Sequence, residues 1–448
     1  MLKPLKIKGT SIFILVWLGQ LVSLLGSSVS NFALNVWLYQ QSGSVTQLSF
    51  LILLTTFPIV ITSPFAGALI DRYNRRWVMI ISDSGAALIT VTVVFLLVTK
   101  QIHIWHMYFA TAISSIFSTF QWPAYNATVT MLVPKKYLGR ASGMIQLSQA
   151  IGQLFSPILS GILLGVIHLS GIFILDLSSF LFALTTLLLV RFPPHQEAQS
   201  QKNRISLLEE IAYGFRYLTA RSGLLALLLF FASGNFFTGI LSVLTYPLIL
   251  SFASPEELGT IASIGGIGMV TGSLLVSAMG GGRENYINIV FYFMLLNGFS
   301  MIVAGSYPSV FLIAIAAFLF FMGFPFINSS VQVIFQKEVA LDVQGRVFSL
   351  TNTISASCLP LACIVAGPLA DKIFEPLMRV NGPLARTIGQ LIGTGVGRGI
   401  GLMFIVLGIL TISMTIIAYR YDPLRLVEGS GYESKGCVAN NNHDDGCS

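Results

Sequence analysis

Charge is scarce in this chain. Only 10% of its 448 residues are Asp, Glu, Lys or Arg, where soluble domains carry about 25%, and that shortage excludes a water-soluble enzyme. No charge-rich block is large enough to form an ATPase or another soluble domain. Cysteine is equally sparse: four residues do not make a disulfide framework, with Cys358 and Cys363 in an apolar stretch and Cys437 and Cys447 in a polar tail. Metal ligands are thin as well. His103 and His106 stand without further ligands nearby, and Cys437, His443, Asp444 and Cys447 decorate a segment (ANNNHDDGCS) whose composition predicts disorder. No metal and no cofactor is therefore expected. The sequence also lacks a nucleotide loop, a nucleophile–base pair and a nucleic-acid module. Its formal net charge of +7 reads as loop Lys and Arg of a membrane protein, not as a nucleic-acid surface.

What the chain has in abundance is hydrophobic residues, 54% of the total, with mean hydropathy +0.80. A spanning helix needs about 20 mostly apolar residues. Stretches of that length fall near 12–38, 47–70, 77–99, 104–128, 141–166, 170–191, 222–250, 257–280, 286–305, 308–334, 346–371 and 399–420. The expectation is an all-α membrane protein of twelve transmembrane helices in contact with the lipid bilayer. The first stretch follows Lys3, Lys6 and Lys8 without a small-residue cleavage site, so it reads as a retained helix.

Lys and Arg placement sets orientation. With the N-terminus in the cytoplasm, 20 Lys and Arg residues fall inside and only Lys100, Lys372, Arg379, Arg386 and Arg398 outside. Both termini are then cytoplasmic in a plasma membrane. The stretch 192–221 opens with Phe192-Pro193-Pro194 and continues as RISLLEEIAYGFRYLTAR, in which Ile205, Leu208, Ala212, Phe215 and Leu218 recur at helical spacing. It predicts an amphipathic helix on the membrane surface or packed on protein loops. The organisation is a six-helix bundle over 1–191, a cytoplasmic linker over 192–221, a second six-helix bundle over 222–420 and a disordered tail over 421–448. A shift of 206 residues aligns Gly139-Arg140 with Gly345-Arg346 and Gly161 with Gly367, so span 5 corresponds to span 11 in a parallel repeat. The outer loop 372–398, rich in glycine, is too long for a tight hairpin and has no assigned role.

Between spans 2 and 3 stands Gly67-Ala-Leu-Ile-Asp71-Arg72-Tyr-Asn74-Arg75-Arg76. It follows G-x-x-x-D-[RK]-x-G-[RK]-[RK], with Asn74 replacing the last Gly, a residue that still tolerates a left-handed turn. This resembles the loop signature of the major facilitator superfamily, a fold of two six-helix bundles, and the resemblance covers roughly residues 10–420. It implies a latch in which Asp71, Arg72, Arg75 and Arg76 meet the inner end of span 11 at Gly345 and Arg346. The competing reading makes the arginines topology determinants only. The corresponding positions near Ser273 to Arg283 keep little of the pattern.

Span 5 carries Gly152, Ser156, Pro157, Ser160 and Gly161, similar to the antiporter motif G-x-x-x-G-P-x-x-G-G with Ser twice in place of Gly. The same residues also suit close helix packing. The phrases EEIAYGFRYLTAR, VPKKYLGRASG and GRGIGLMF resemble the bacterial drug:proton antiporter branch of macrolide-efflux and enterobactin-exporter type. That resemblance implies a monomeric secondary transporter of the bacterial inner membrane, not an enzyme. It would export an amphipathic small molecule (drug, siderophore or secondary metabolite) by alternating access with protons as the coupling partner. A facilitator or importer of a lipid-like metabolite, or a non-transporting receptor on the same scaffold, is the alternative.

Ionisable residues inside a membrane default to functional hypotheses. Only Asp83 and Asp176 lie within spans, while Asp71 and Asp371 mark span ends. Either intramembrane carboxyl is a proton-coupling candidate. Asp83 could instead pair with Arg75 or Arg76, and Asp176 could be a polar residue at the outer mouth. Cavity-lining candidates at helical spacing are Gln20, Ser27, Asn31 and Asn35 in span 1, Gln121 and Tyr125 in span 4, Gln149 and Gln153 in span 5, Asn235 in span 7, and Asn328 and Gln332 in span 10. Neutral amides and aromatics suit a large amphipathic substrate, although helix-to-helix hydrogen bonds would explain each one singly.

Overall fold

In hydrocarbon every backbone N–H and C=O must be satisfied within the protein, which leaves helices as the economical solution for long apolar runs. The computed structural model describes residues 9–72, 75–134, 137–190, 215–278, 285–340, 343–425 and 427, and every regular element among them is helical. The first elements are α1 (Gly9–Ser42), α2 (Val45–Arg72), α3 (Arg75–Val98) and α4 (Ile104–Leu132). The helical stretch Leu138–Leu189 follows, interrupted at His168, whose φ of 55° and ψ of 179° are not helical. Its two limbs, α5 (138–167) and α6 (169–189), run in opposite directions along α1. Trp17 of α1 donates to the Met144 carbonyl and Gly152 lies against Leu24 and Ser28, whereas Gly19 meets Thr186 and Gly26 meets Ser179. Both sets of contacts are read along the same rising stretch of α1, so the chain reverses at His168.

The second group comprises α7 (Ser222–Leu250), α8 (Pro255–Ala278), α9 (Tyr286–Ser306), α10 (Val310–Glu338), α11 (Gln344–Leu369) and α12 (Arg398–Arg420). By length and composition ten helices among the described residues can cross a membrane, one of them the 50-residue Arg140–Leu189. Counting its two limbs separately, and adding α4, gives twelve rods. Large apolar side chains point outward along them, such as Leu88, Phe95, Val166 and Phe311, as expected where the surrounding solvent is lipid. Trp77 and Trp105, at the first turns of α3 and α4, are exposed near opposite ends, the position of interfacial aromatics.

Helices α1–α6 pack mainly on one another, as do α7–α12, and the two groups meet along α2·α11 and α5·α8. Their contact is one-sided. At the end where α1 stops and α2 starts, a single apolar cluster runs across both groups, joining Phe32, Val36 and Val45 to Leu244, Leu248, Ile261 and Ala366. At the opposite end the clusters stay separate, one around Phe13, Met79 and Leu187 and the other around Leu227, Phe335 and Val347. Among the described residues the molecule is therefore closed at one end, where apolar packing joins the two groups, while at the other it stays within each group.

The loop 372–398 is built, not slack. A π-helical turn, Ala370–Phe374, ends α11, and short helices Glu375–Leu377 and Ile388–Ile392 follow. The Leu384 and Gly395 amides donate back to the carbonyls of Leu377 and Met378. The linker expected over 192–221 lies outside the described residues except for its last seven, which contain a helical turn at 215–219. Most of the tail 421–448 also lies outside them, but in place of the disorder expected throughout, its start forms a helical turn, Asp422–Arg425, and buries Leu424 and Val427.

Candidate functional site

Polar side chains inside the first group of helices converge on one cavity of about 360 Å³, walled by α1 to α6. On α1 the residues Gln20, Ser23, Ser27, Ser30 and Asn31 face it, and on α4 so do Thr111, Ser114, Ser115, Ser118, Gln121, Trp122 and Tyr125. Both sets follow the i, i+3, i+4, i+7 rule of one helix face. Gln149 of α5 and Phe173, Asp176 and Phe180 of α6 complete the wall. No Lys, Arg or His is among these lining residues, so Asp176 is the one ionisable carboxyl in the wall.

Two buried carboxyl groups bracket the polar stripe of α1. Asp83 of α3, with no exposed surface, accepts from Gln20 Nε2 at 3.5 Å through Oδ2, while its Oδ1 has no partner. Gln20 Oε1 in turn accepts from Gln121 Nε2 at 3.0 Å, linking α3, α1 and α4. Two helical turns further along α1, about 10 Å away by helix rise, Ser27 Oγ donates to Asp176 Oδ1 at 3.1 Å. The arrangement can hold a polar or cationic group among hydroxyls and amides, and it offers two places for a proton.

Of the eleven cavity candidates named from sequence, Gln20, Ser27, Asn31, Gln121, Tyr125 and Gln149 line this cavity. Asn35 is elsewhere: its side chain donates to Tyr246 Oη of α7 at 3.5 Å, across the closed end. Gln153 and Gln332 are exposed outside the cavity. Asn235 and Asn328 turn back on their own helices, donating to the carbonyls of Phe231 and Phe324. Neither is among the residues that line the α1–α6 cavity. In both Asn residues an amide inside an apolar helix satisfies itself on the carbonyl four residues back.

The latch candidates fare differently. The side chains of Gly67, Asp71, Arg72, Arg75, Gly345 and Arg346 lie outside the described part. Arg76 is described: Nε and Nη2 donate to the carbonyls of Leu187 and Leu188, each at 3.1 Å. A cation on the last carbonyls of α6 is a favourable C-terminal cap, and it ties α3 to α6. Asp83 meets Gln20, not Arg76.

The antiporter-like motif of α5 sits at the junction with α8. A Cβ on Gly161 would come within 2.7 Å of the Pro255 carbonyl, and one on Gly259 would collide with the Pro157 carbonyl. Ser263 Oγ donates to the Leu154 carbonyl at 2.6 Å. Gly152 faces α1, and Ser156 and Ser160 are buried with hydroxyls that have no partner. Close packing is what this stretch visibly does.

Several residues were missed from sequence. The Ser and Thr residues of α4 were readable as a helical stripe ending at Gln121 and Tyr125. Asp371 was noted only as marking a span end, yet it bonds to three groups at the start of α2. Glu375 receives the amides of Gly397 and Ile400 at the start of α12, and buried Arg398 donates to the Gly305 carbonyl at 2.8 Å.

Comparison with known proteins agrees with this architecture. Residues 16–362 match the family model described as Major Facilitator Superfamily. Macrolide efflux protein A of Streptococcus pyogenes is 28% identical over 370 residues, covering 81% of this chain and 90% of that protein. The protein of the same description from Enterococcus faecalis is 27% identical over 318 residues, covering 69% and 96%. Among solved structures, a bacterial homolog of the human lysosomal transporter Spinster, inward-facing and unoccupied, aligns with a TM-score of 0.66 at 17% identity, over 93% of this chain and 98% of that one. The last likeness is one of fold.

Proposed function

We propose that this chain, which belongs to the Major Facilitator Superfamily and is a transporter rather than an enzyme, exports an amphipathic small molecule such as a drug, siderophore or secondary metabolite against inward proton movement. The observation that carries this reading is the α1–α6 cavity, with neutral amides, hydroxyls and aromatic rings in its wall and Asp176 as its carboxyl. Its volume falls in the range of small-molecule sites, and such walls favour molecules that are part apolar and part polar. With no cation in the wall, a neutral or positively charged substrate is favoured over an anion. Asp83 and Asp176 are the proton-coupling groups of the proposal, because buried carboxyl groups in a membrane serve as proton relays.

The transport cycle we propose rocks the bundles 1–191 and 222–420 against each other in a monomer, in a bacterial plasma membrane with both termini cytoplasmic. The distribution of Lys and Arg supports that orientation. The closed end is then the outer one, and the bundles part toward the cytoplasm, the state that loads an exporter. Asp71, Arg72, Arg75 and Arg76 with Gly345 and Arg346 would latch the cytoplasmic end in the opposite state. The two macrolide efflux relatives support export over uptake.

The test is efflux from cells loaded with a fluorescent amphiphile, with and without an uncoupler. The uncoupler is expected to abolish efflux, and Asp83→Asn and Asp176→Asn each to lower it by about a hundredfold, the lower end of what proton-transfer groups typically contribute. Efflux indifferent to the uncoupler and unharmed in both variants would overturn proton coupling.

A further inference from the structure

At the closed end α2 begins one residue after a tight turn: Gly43, with φ of 60°, ends α1, and Ser44 precedes Val45. The first amides of a helix have no intrahelical acceptor. Here two of them are satisfied from the other bundle. Asp371 Oδ1 accepts from the Val45 amide at 3.1 Å, and Oδ2 accepts from the Thr46 amide at 2.8 Å and from Ser44 Oγ at 2.8 Å. Ser44 Oγ itself accepts from the Gln47 amide at 3.3 Å, so α2 keeps a cap of its own for the third amide.

Two features bring the carboxylate there. Gly367 lets α11 approach until a Cβ would stand 2.6 Å from Thr46 Cα. Asp371 lies in the π turn Ala370–Phe374 that ends α11, and Glu375 follows that turn directly. Glu375 accepts from the Gly397 and Ile400 amides at 3.3 and 3.1 Å and so caps α12 within its own bundle. Asp371 turns instead to α2, across the seam where the apolar cluster joins both bundles.

We propose that Asp371 is a gating residue: by capping α2 from α11 it holds the two bundles together at this end, and the end opens when that trans contact is released. A negative group at a helix N-terminus interacts favourably with the dipole and with the free amides. Opening returns both the carboxylate and the Val45 and Thr46 amides to water, which biases the protein toward the closed end. The contact acts on the bundle equilibrium whatever the transported molecule is.

The test uses full-length protein in lipid nanodiscs, with the four cysteines replaced by Ala and nitroxide labels on Gln101→Cys and Gln390→Cys. Both sites are exposed, one in each bundle, at the closed end. Pulsed electron paramagnetic resonance then reads the ratio of long to short inter-bundle distances. Asp371→Ala is expected to raise that ratio by about tenfold or more, the weight of hydrogen bonds to a charged group. Adding Ser44→Asp gives α2 a carboxylate cap in cis; it is expected to recover thermal stability while the long distance persists. An unchanged ratio in Asp371→Ala overturns the proposal, as does return of the short distance in the double variant.

Discussion

The two seams between the bundles, α2·α11 and α5·α8, are related by the internal repeat and yet held differently. Gly161 and Gly367, matched by the 206-residue shift, each lie against the first turn of a helix in the opposite bundle: Gly161 against Pro255 and Glu256 of α8, Gly367 against Thr46 and Ser49 of α2. Four residues on, the equivalence breaks. Asp371 corresponds to position 165 (371 − 206 = 165), which is Gly165. The start of α8 is capped in cis instead, by a capping box in which the Ser254 amide donates to Glu257 Oε2 at 2.8 Å and the Glu257 amide to Ser254 Oγ at 3.2 Å. One seam can part at its helix start with its own cap intact; the other leaves a carboxylate and two amides to be rehydrated. Shape and one neutral hydrogen bond, from Ser263 to the Leu154 carbonyl, set the first contact, and shape plus charge the second.

The largest effects are expected where shape is broken. In Gly161→Val and Gly367→Val the new side chain meets backbone, the Pro255 carbonyl in one and Thr46 Cα in the other, so no rotamer change relieves it. Overpacking of this kind costs about 1–3 kcal/mol. It falls only on the closed state, so both variants are expected to shift the Gln101–Gln390 label pair to the long distance by roughly tenfold to a hundredfold. Symmetric behaviour at this step would affirm the shared geometry of the seams. A shift in Gly367→Val with none in Gly161→Val would mean that α5·α8 is not a gate contact.

The architecture was largely legible in the sequence, because a bilayer core demands apolar runs of fixed length and the chain supplies them. The helix boundaries Gly9–Ser42 and Val45–Arg72 run beyond the stretches 12–38 and 47–70, since hydropathy reports the hydrocarbon region while helices continue past it. Gly152, Ser156, Ser160 and Gly161 were readable as small residues, and they do pack closely. The α1 and α4 faces of the cavity were readable from helical spacing. What could not be read was the direction an amide takes: Asn235 and Asn328 bond to their own helices, and spacing does not distinguish that from a place in a cavity wall. Asp371 was invisible for another reason. Its partners lie more than 320 residues earlier in the chain, and helical spacing within α11 carries no sign of them.

The smallest expected effect is the most discriminating. Ser254→Ala removes the hydroxyl that accepts the Glu257 amide at the start of α8. Loss of an N-cap hydroxyl costs about 0.5–2 kcal/mol, so the midpoint of thermal unfolding in nanodiscs is expected to fall by a few degrees. The box lies wholly within α8 and its own approach residue, and it is present whether or not α8 touches α5. The distance ratio is therefore expected to stay at the parent value, in contrast to Asp371→Ala. If Ser254→Ala lengthened the inter-bundle distance as much as Asp371→Ala does, capping of any helix start at this end would control closure. The placement of a carboxylate across the seam would then have no special weight.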